Sequence, residues 1–394
     1  MERTTQAANP FAGMVEWFSS PPVTGGWLYR FIIYPLLQMA VFIIGIAAFL
    51  TAAAYLIAFI IPNPRENIVL AEQINRQLPG MIISGISVGF VYSMIALGYT
   101  LVYGVLKFIN FAHSEIFMVG SVVGFEIMQR IDEAGASQQW NPVVMVVTIV
   151  LSSMLASGLL AVLIERVAYR PLRNAPRLVP LISAIGVSFF LTDVVRATEA
   201  MLRNDFNLRY PTNDLNWLTD AIPLVIGGIT VNIKPTSIIM VIGAVLTLLA
   251  LNYFVNGTKL GRGVRAVSQD QSTAGLMRID VNFMISLTFF IGGAFGGAAG
   301  ALFGMNAGTI TPYVGFIPGV KAFTAAVLGG IGNVTGSLLG GLTIGMLEAF
   351  LNGTLAYFPA LGQRYTDIFV FAILIIVLIF RPGGLLGERV DEKV

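Results

Sequence analysis

The chain has 394 residues, of which 56% are hydrophobic, 11% are charged and 42 are glycine, a balance far more apolar than soluble domains carry. An integral membrane protein in contact with lipid is expected. The formal net charge of +2 is too small and too dispersed for a nucleic-acid partner. With no cysteine and one histidine, the chain cannot build disulfides, thiolate metal sites or a multi-histidine site, so no metal centre and no catalytic residues of the familiar constellations are expected.

The first apolar run, residues 36–61, is too long for a secretory signal and is not followed by a small-residue cleavage site. It is read as a retained helix. The stretch before it, with Pro10, Trp17, Phe18, Pro21 and Pro22, reads as an interfacial segment or a tail. A second span is predicted at 80–105, near the ~20 residues a bilayer core requires. The next polar cluster is LKFINFAHSEIFMVGS, where Asn110, His113, Ser114 and Glu115 meet a membrane boundary. Ionisable groups there are costly unless they face water or partners. His113 is open to two readings, a group on a substrate path or a brace held by Asn110 or Ser114 at the start of the helix that follows.

Further spans are predicted at 114–129, 142–164, 178–197 and 236–256. After them comes the polar break GRGVRAVSQDQSTAG, from Gly261 to Gly275. Ser268 with Gln271 three residues on reads as a capping box, and Asp270 falls in the first turn, where a helix N-terminus favours negative charge. A short helix from Ser268 to Leu276, flanked by Arg262 and Arg265, is therefore predicted, as a handle for a soluble partner.

In the span at 283–305, Gly292, Gly296, Gly300 and Gly304 recur every four residues, which puts a small-residue packing face on one side of a helix. Gly332, Gly336 and Gly340 repeat the pattern. Some of these glycines could also line a moving interface. The apolar stretch 319–350 is interrupted by Gly329, Gly330 and Gly332, so it reads as a half-length descent, a turn and a second helix. Its GGIGNVTGS is not a Walker A loop, because Gly336 is followed by Ser337 and no Lys is present to meet phosphates. Any ATP chemistry must then belong to another polypeptide. A last span at 366–381 precedes RPGGLLGERVDEKV.

Placing that C-terminus in the cytoplasm puts loops 106–113, 165–177 and 257–282 on the same side, with residues 1–35. Fourteen of the 23 lysines and arginines then lie inside, clustered in short loops, as the positive-inside rule asks. The expected fold class is all-α: a polytopic transmembrane helical bundle with a broken, re-entrant helix pair and a cytoplasmic coupling helix.

Four long runs, GFVYSMIALGYTLVYGVLKFINFAHSEIFMVGS, IERVAYRPLRNAPRLVPLISAIGVSFFL, LGRGVRAVSQDQSTAGLMRIDV and TPYVGFIPGVKAFTAAVLGGIGNVTGSLLGGLTIGMLEA, occur in the order of one family. The chain resembles LivH-type permease subunits of branched-chain amino acid ABC importers from about Gly80 onward. Ser114 stands where that family normally has Gly, and residues 1–79 exceed its usual N-terminus. The division implied is an N-terminal extension, 1–79, with one extra helix, and a permease domain, 80–394.

The resemblance implies a bacterial inner-membrane complex. Its partners are a LivM-like homologous permease, two ABC ATPase subunits of LivG/LivF type that bind ATP and magnesium, and a periplasmic binding protein that delivers substrate. It also implies that Ser268, Gln269, Asp270, Gln271, Ala274, Gly275 and Leu276 form the coupling helix received by an ATPase. Polar groups near the membrane boundaries, Ser93, Asn110, His113, Glu115, Thr309, Thr311 and Tyr313, are candidates for the translocation path. Related urea and short-amide permeases share the scaffold and are the alternative. A secondary transporter lacks mid-span carboxylates to work with, and a channel lacks a filter loop.

Overall fold

The computed structural model describes residues 17, 26–61, 69–136, 139–173, 175–176, 178–211, 215–226, 229–358, 362–381 and 383–386. The segment with Pro10, Phe18, Pro21 and Pro22, together with Arg177, Arg389 and Lys393, lies outside them. A π-helical turn at Tyr29–Ile33 leads into α1 (Tyr34–Ile60). Then follow α2 (Leu70–Leu106), α3 (His113–Glu133), α4 (Pro142–Ile164) and α5 (Leu178–Arg203). The next long helix is α7 (Pro235–Gly257), reached through β1 (Leu208–Arg209), a single helical turn α6 (Asn216–Thr219) and the hairpin β2 (Ile222–Ile226) and β3 (Ile229–Ile233). The chain continues through α8 (Lys259–Gln269), α9 (Gln271–Leu276) and α10 (Val281–Ala307). After β4 (Thr309–Ile310) it closes with α11 (Phe316–Gly329), α12 (Val334–Leu355) and α13 (Thr366–Phe380).

Eight helices among the described residues are long and apolar enough to cross a membrane. They include α12, so the descent predicted in 319–350 is the short α11 and the return is a full crossing. α3 is not among the eight. It covers the span predicted at 114–129, but it carries Glu115, Glu126, Arg130, Asp132 and Glu133, and it starts inside the bundle rather than at its end.

Most spans are apolar all round, so periodicity says little about which face is inside; small residues decide it. Gly85 and Gly89 of α2 pack on Gly341 and Gly345 of α12 so closely that a methyl group on any of them would overlap the facing chain. α10 does the same with α3 and α4: a methyl at Gly300 would strike the Phe117 carbonyl, and one at Gly293 or Gly297 would strike α4. α2, α10 and α12 therefore form the centre, while α1, α5 and α13 leave broad apolar faces open at the rim. Gly332 has a different job from the packing role predicted. It lies outside any helix with φ +95°, beside Gly330 at +103°, and supplies the left-handed turn between α11 and α12.

Several bonds fix which loops share an end of the bundle. Gln271 Nε2 donates to the Val105 carbonyl (2.7 Å), Arg173 to Asn282 (2.7 Å), and Leu385 N–H to the Leu328 carbonyl (2.7 Å). Phe31 stacks edge-on against Tyr253 at 5.6 Å. So the described C-terminal residues, the α11–α12 turn, the α8–α9 segment and the π-helical turn before α1 all lie at one end. At the other end β1 pairs antiparallel with β4, and the β2–β3 hairpin lies beside Gly80 at the start of the family resemblance. α1 packs Leu50, Ala54 and Ala58 against Leu70, Ile74 and Met346 at the periphery.

Candidate functional site

After α2 ends at Lys107 in a left-handed conformation, the chain folds back into the bundle instead of leaving it. Asn110 makes this possible. Its Oδ1 accepts from the Ala112 N–H (3.1 Å) and from the Tyr169 hydroxyl (2.6 Å), so the return loop is held at both ends. His113, the first residue of α3, is buried between Gly98 and Gly296, with its ring edge-on to Tyr99 at 4.8 Å. Its Nε2 has no partner, and neither Asn110 nor Ser114 bonds its side chain.

Glu115 follows two residues into this embedded helix and is only 3% exposed. Its Oε1 accepts from the Ser188 hydroxyl of α5 (3.1 Å) and from Ser114 (3.3 Å), while Oε2 is buried with no partner among the described residues. On the far side lies the beginning of α11: a methyl group built on Gly315 would sit 2.9 Å from Oε2. Two interrupted helices, α3 and α11, thus meet at one carboxylate.

That carboxylate borders a cavity of about 530 Å³ between α5 and α11, within the range of about 300–1,000 Å³ usual for small-molecule sites. Ser188, Thr192 and Arg196 line it at successive turns of α5, and Tyr99, Phe189 and Phe323 contribute aromatic walls. Arg196 pairs with Asp193 (3.1 Å) and donates to the Tyr313 hydroxyl (3.4 Å) at the exposed rim. Sequence reasoning missed Ser188, Thr192 and Arg196. The signal was there, polar residues at every fourth position, 188, 192 and 196, along one face of α5.

Other predicted path residues fall elsewhere. Ser93 is fully buried and donates to the carbonyls of Gly89 (2.8 Å) and Leu338 (2.7 Å), so it ties α2 to α12 rather than facing a passage. Thr309 pairs with Arg209 across the β1–β4 ladder, and Thr311 takes part in the turn after it through a bond from Val314 N–H to its carbonyl (3.0 Å). Neither lines the cavity; Glu115 and Tyr313 do. Gly292, Gly296, Gly300 and Gly336 all lie inside contacts made within this chain.

The predicted handle is two helices. Asp270, not Ser268, is the cap: its carboxylate accepts from the amides of Ser272 (2.8 Å) and Thr273 (3.2 Å), while Ser268 donates back to the Arg265 carbonyl (2.8 Å) inside α8. The Thr273 hydroxyl, with those amides, holds the Asp270 carboxyl below its ordinary range. A capping box requires the first residue to leave the helical conformation, and Ser268 remains in it. Arg262 and Arg265 sit on the exposed face of α8, where Arg265 donates to Asn256 (2.9 Å), opposite buried Val264 and Val267. Ala274 is also buried, 4% exposed, against the chain's own core, so it is not offered to a partner. Gly275 and Gln269 are exposed, and the large apolar groups presented outward are Leu276, 85% exposed, and Met277, 73%.

Residues 81–378 match the family described as the branched-chain amino acid transport system permease component. The chain belongs to this family. Among its relatives is the high-affinity branched-chain amino acid transport system permease protein BraD of Pseudomonas aeruginosa, 39% identical over 316 residues, covering 79% of this chain and 97% of that protein. LivH of Escherichia coli K12 is 40% identical over 311 residues, covering 79% and 96% respectively. A probable LivH of Methanocaldococcus jannaschii is 27% identical over 304 residues, 76% and 89%. The permease is thus a multi-pass membrane protein, and the family match leaves the first 80 residues, including α1, uncovered.

Proposed function

We propose that this chain is the translocation subunit of an ATP-driven importer for branched-chain amino acids in a bacterial inner membrane. The observation that carries the reading is identity of about two residues in five along nearly the whole length of the BraD and LivH relatives. The cavity against Glu115 supports it, because it lies on an open lateral face between α5 and α11, where a homologous permease would complete its wall. Two ATPase subunits, bearing ATP and magnesium, would receive α8 and α9 through Leu276, Met277 and the arginines beside them. The basic end of the bundle, with Arg262, Arg265 and Arg278, then faces the cytoplasm together with the C-terminus. A periplasmic binding protein would deliver substrate to the end that carries the two small sheets.

Transport follows as alternating access. ATP binds the two states with different affinity, and only that difference can shift the equilibrium between them. The test is reconstitution of the chain with its partner permease, ATPases and binding protein in liposomes. Leucine uptake that requires both ATP and the binding protein is expected. Uptake that proceeds without ATP, or a purified chain that never captures an ATPase subunit, would sink the reading.

A further inference from the structure

Glu115 is a buried carboxylate held on the α5 side by the hydroxyls of Ser188, Thr192 and Ser114, while Oε2, turned toward Gly315, has no partner among the described residues. A buried acceptor without a partner is costly, and native structures rarely keep one without a use. The groups around it show what donor is missing. Among the described residues no group of three His, Cys, Asp or Glu side chains comes together, so a divalent cation would lack ligands. The cavity beside the carboxylate has aromatic walls, with Phe323 packed 5.8 Å from Tyr99 and 6.0 Å from Phe111, and aromatic faces attract organic cations. Ile185, Ile317 and Val320 complete an apolar lining for an alkyl chain.

We propose that Glu115 receives the ammonium group of the amino acid in transit. Oε2 accepts from the –NH3+, and the branched side chain rests on the aromatic and aliphatic walls between α5 and α11. The substrate carboxylate must point away from Glu115. It faces the rim, where Arg196 stands eight residues along α5 from Ser188, a rise of about 12 Å. Arg196 at the rim meets the carboxylate first, and Glu115 meets the ammonium deeper in. Oε2 lies against Gly315, at the start of α11, so a shift of this short helix is the motion that opens the carboxylate to the cavity. This inference rests on the importer reading and sharpens its substrate class: a neutral amide or urea has no ammonium for Glu115 to hold.

The test uses the native absence of cysteine. Thr192→Cys places a single thiol of this chain in the cavity, in the reconstituted complex. Its labelling rate is measured with 2-aminoethyl methanethiosulfonate, which carries an ammonium, and with neutral methyl methanethiosulfonate, each normalised to a free thiol. The cationic reagent should be favoured about tenfold by a carboxylate at contact distance. The preference should vanish in T192C/E115Q and return in T192C/E115D. Isoamylamine should slow labelling of the T192C chain where isoamyl alcohol does not, which tests the site without altering Glu115. In parallel, Glu115→Gln should lower leucine uptake about tenfold at an unchanged membrane level of the complex. Equal labelling by both reagents, or unchanged uptake with E115Q, overturns the proposal. If the unaltered complex imports no branched-chain amino acid, the importer reading fails, and the labelling preference still reports on Glu115 separately.

Discussion

The short helix α11 has a buried charge on each side of it, and the two are solved differently. Lys321, on α11 itself, bonds Glu348 of α12 and Asp367 of α13, each at 2.8 Å, and lies 5.9 Å from the ring of Tyr92, whose hydroxyl donates to the other Glu348 oxygen at 2.8 Å. Lys321 and both Glu348 oxygens each have a partner there. Glu115, against the other side of the same helix, keeps an oxygen with none. A closed network rigidifies and specifies packing, whereas a half-open one leaves room for a ligand. Under the proposal made above, the Lys321 side holds α11 in the bundle and the Glu115 side faces the passage.

The largest expected effect breaks the closed side. Lys321→Met leaves Glu348 and the half-exposed Asp367 facing each other without their cation and should destabilise the chain by about 2–3 kcal/mol, below the cost of orphaning a fully buried pair because solvent screens Asp367. Thermal unfolding in detergent should show it as a lowered Tm, partly restored by K321M/E348Q. Glu115→Gln, by contrast, should leave Tm within a degree or two because no fixed cation is orphaned. If the two variants lower Tm equally, the division between a structural and a functional side of α11 fails.

A second comparison tests the backing behind Glu115. Gly300 and Gly296 lie on the same face of α10, both against α3, but a methyl at Gly300 overlaps the Phe117 carbonyl, whereas one at Gly296 meets the His113 ring at an ordinary 3.6 Å. Gly300→Ala should cost about 1–3 kcal/mol of stability through overpacking, while Gly296→Ala should be near neutral and only Gly296→Leu severe. Their order in Tm is the measurement. Reversal would mean that α3 is free to move away from α10 and that Glu115 is not rigidly backed.

The sequence made some of these features legible and hid others for physical reasons. Spans, glycine faces and the broken stretch at 319–350 are visible because length, small residues and turn glycines act locally. The return loop at 107–112 was placed at a membrane surface because Lys107 and Asn110 are polar. In the fold Lys107 stays exposed, but the polarity of Asn110 is consumed internally, by bonds to Ala112 and Tyr169. Ser93 misled in the same way, since a hydroxyl inside a span bonds backbone carbonyls as readily as it lines a path. Lys321 could not be paired from sequence at all, because Glu348 and Asp367 come from two other helices. Ser188, Thr192 and Arg196 were legible as a polar stripe, but the carboxylate they serve lies 73 residues upstream of Ser188.

At the end proposed to face the ATPases the buried Glu165 is held by Arg173, and α9 presents exposed apolar side chains apart from that pair, so function and stability should separate there. Leu276→Asp with Met277→Asp alters two highly exposed apolar side chains and should leave Tm unchanged while lowering uptake about tenfold, as loss of a buried interface anchor does. Ala274→Asp is the contrast. Its site is internal, so it should reduce folding and uptake together. Equal uptake by the L276D/M277D chain and the unaltered one would remove α9 from the ATPase contact.

The smallest effect is expected from the N-terminal extension, where the fully open rim meets the packed centre. α1 contributes Leu50, Ala54 and Ala58 to a satellite cluster with Leu70, Ile74 and Met346, and Met39 to the edge of the main core. We therefore expect deletion of residues 1–68, which spares Leu70, to lower Tm modestly and to leave ATP-driven uptake within about twofold, because only one peripheral packing face is lost. Its orientation follows from Phe31 and Tyr253, which stack at the end of the bundle that carries α8 and α9. Gly26→Cys, at an exposed position with open space around it, should then react with an impermeant thiol reagent only after the membrane is permeabilised. Labelling in intact cells would place that end outside. Because the same contacts tie α1 to the coupling segment, it would overturn the orientation of the whole bundle and not of the extension alone.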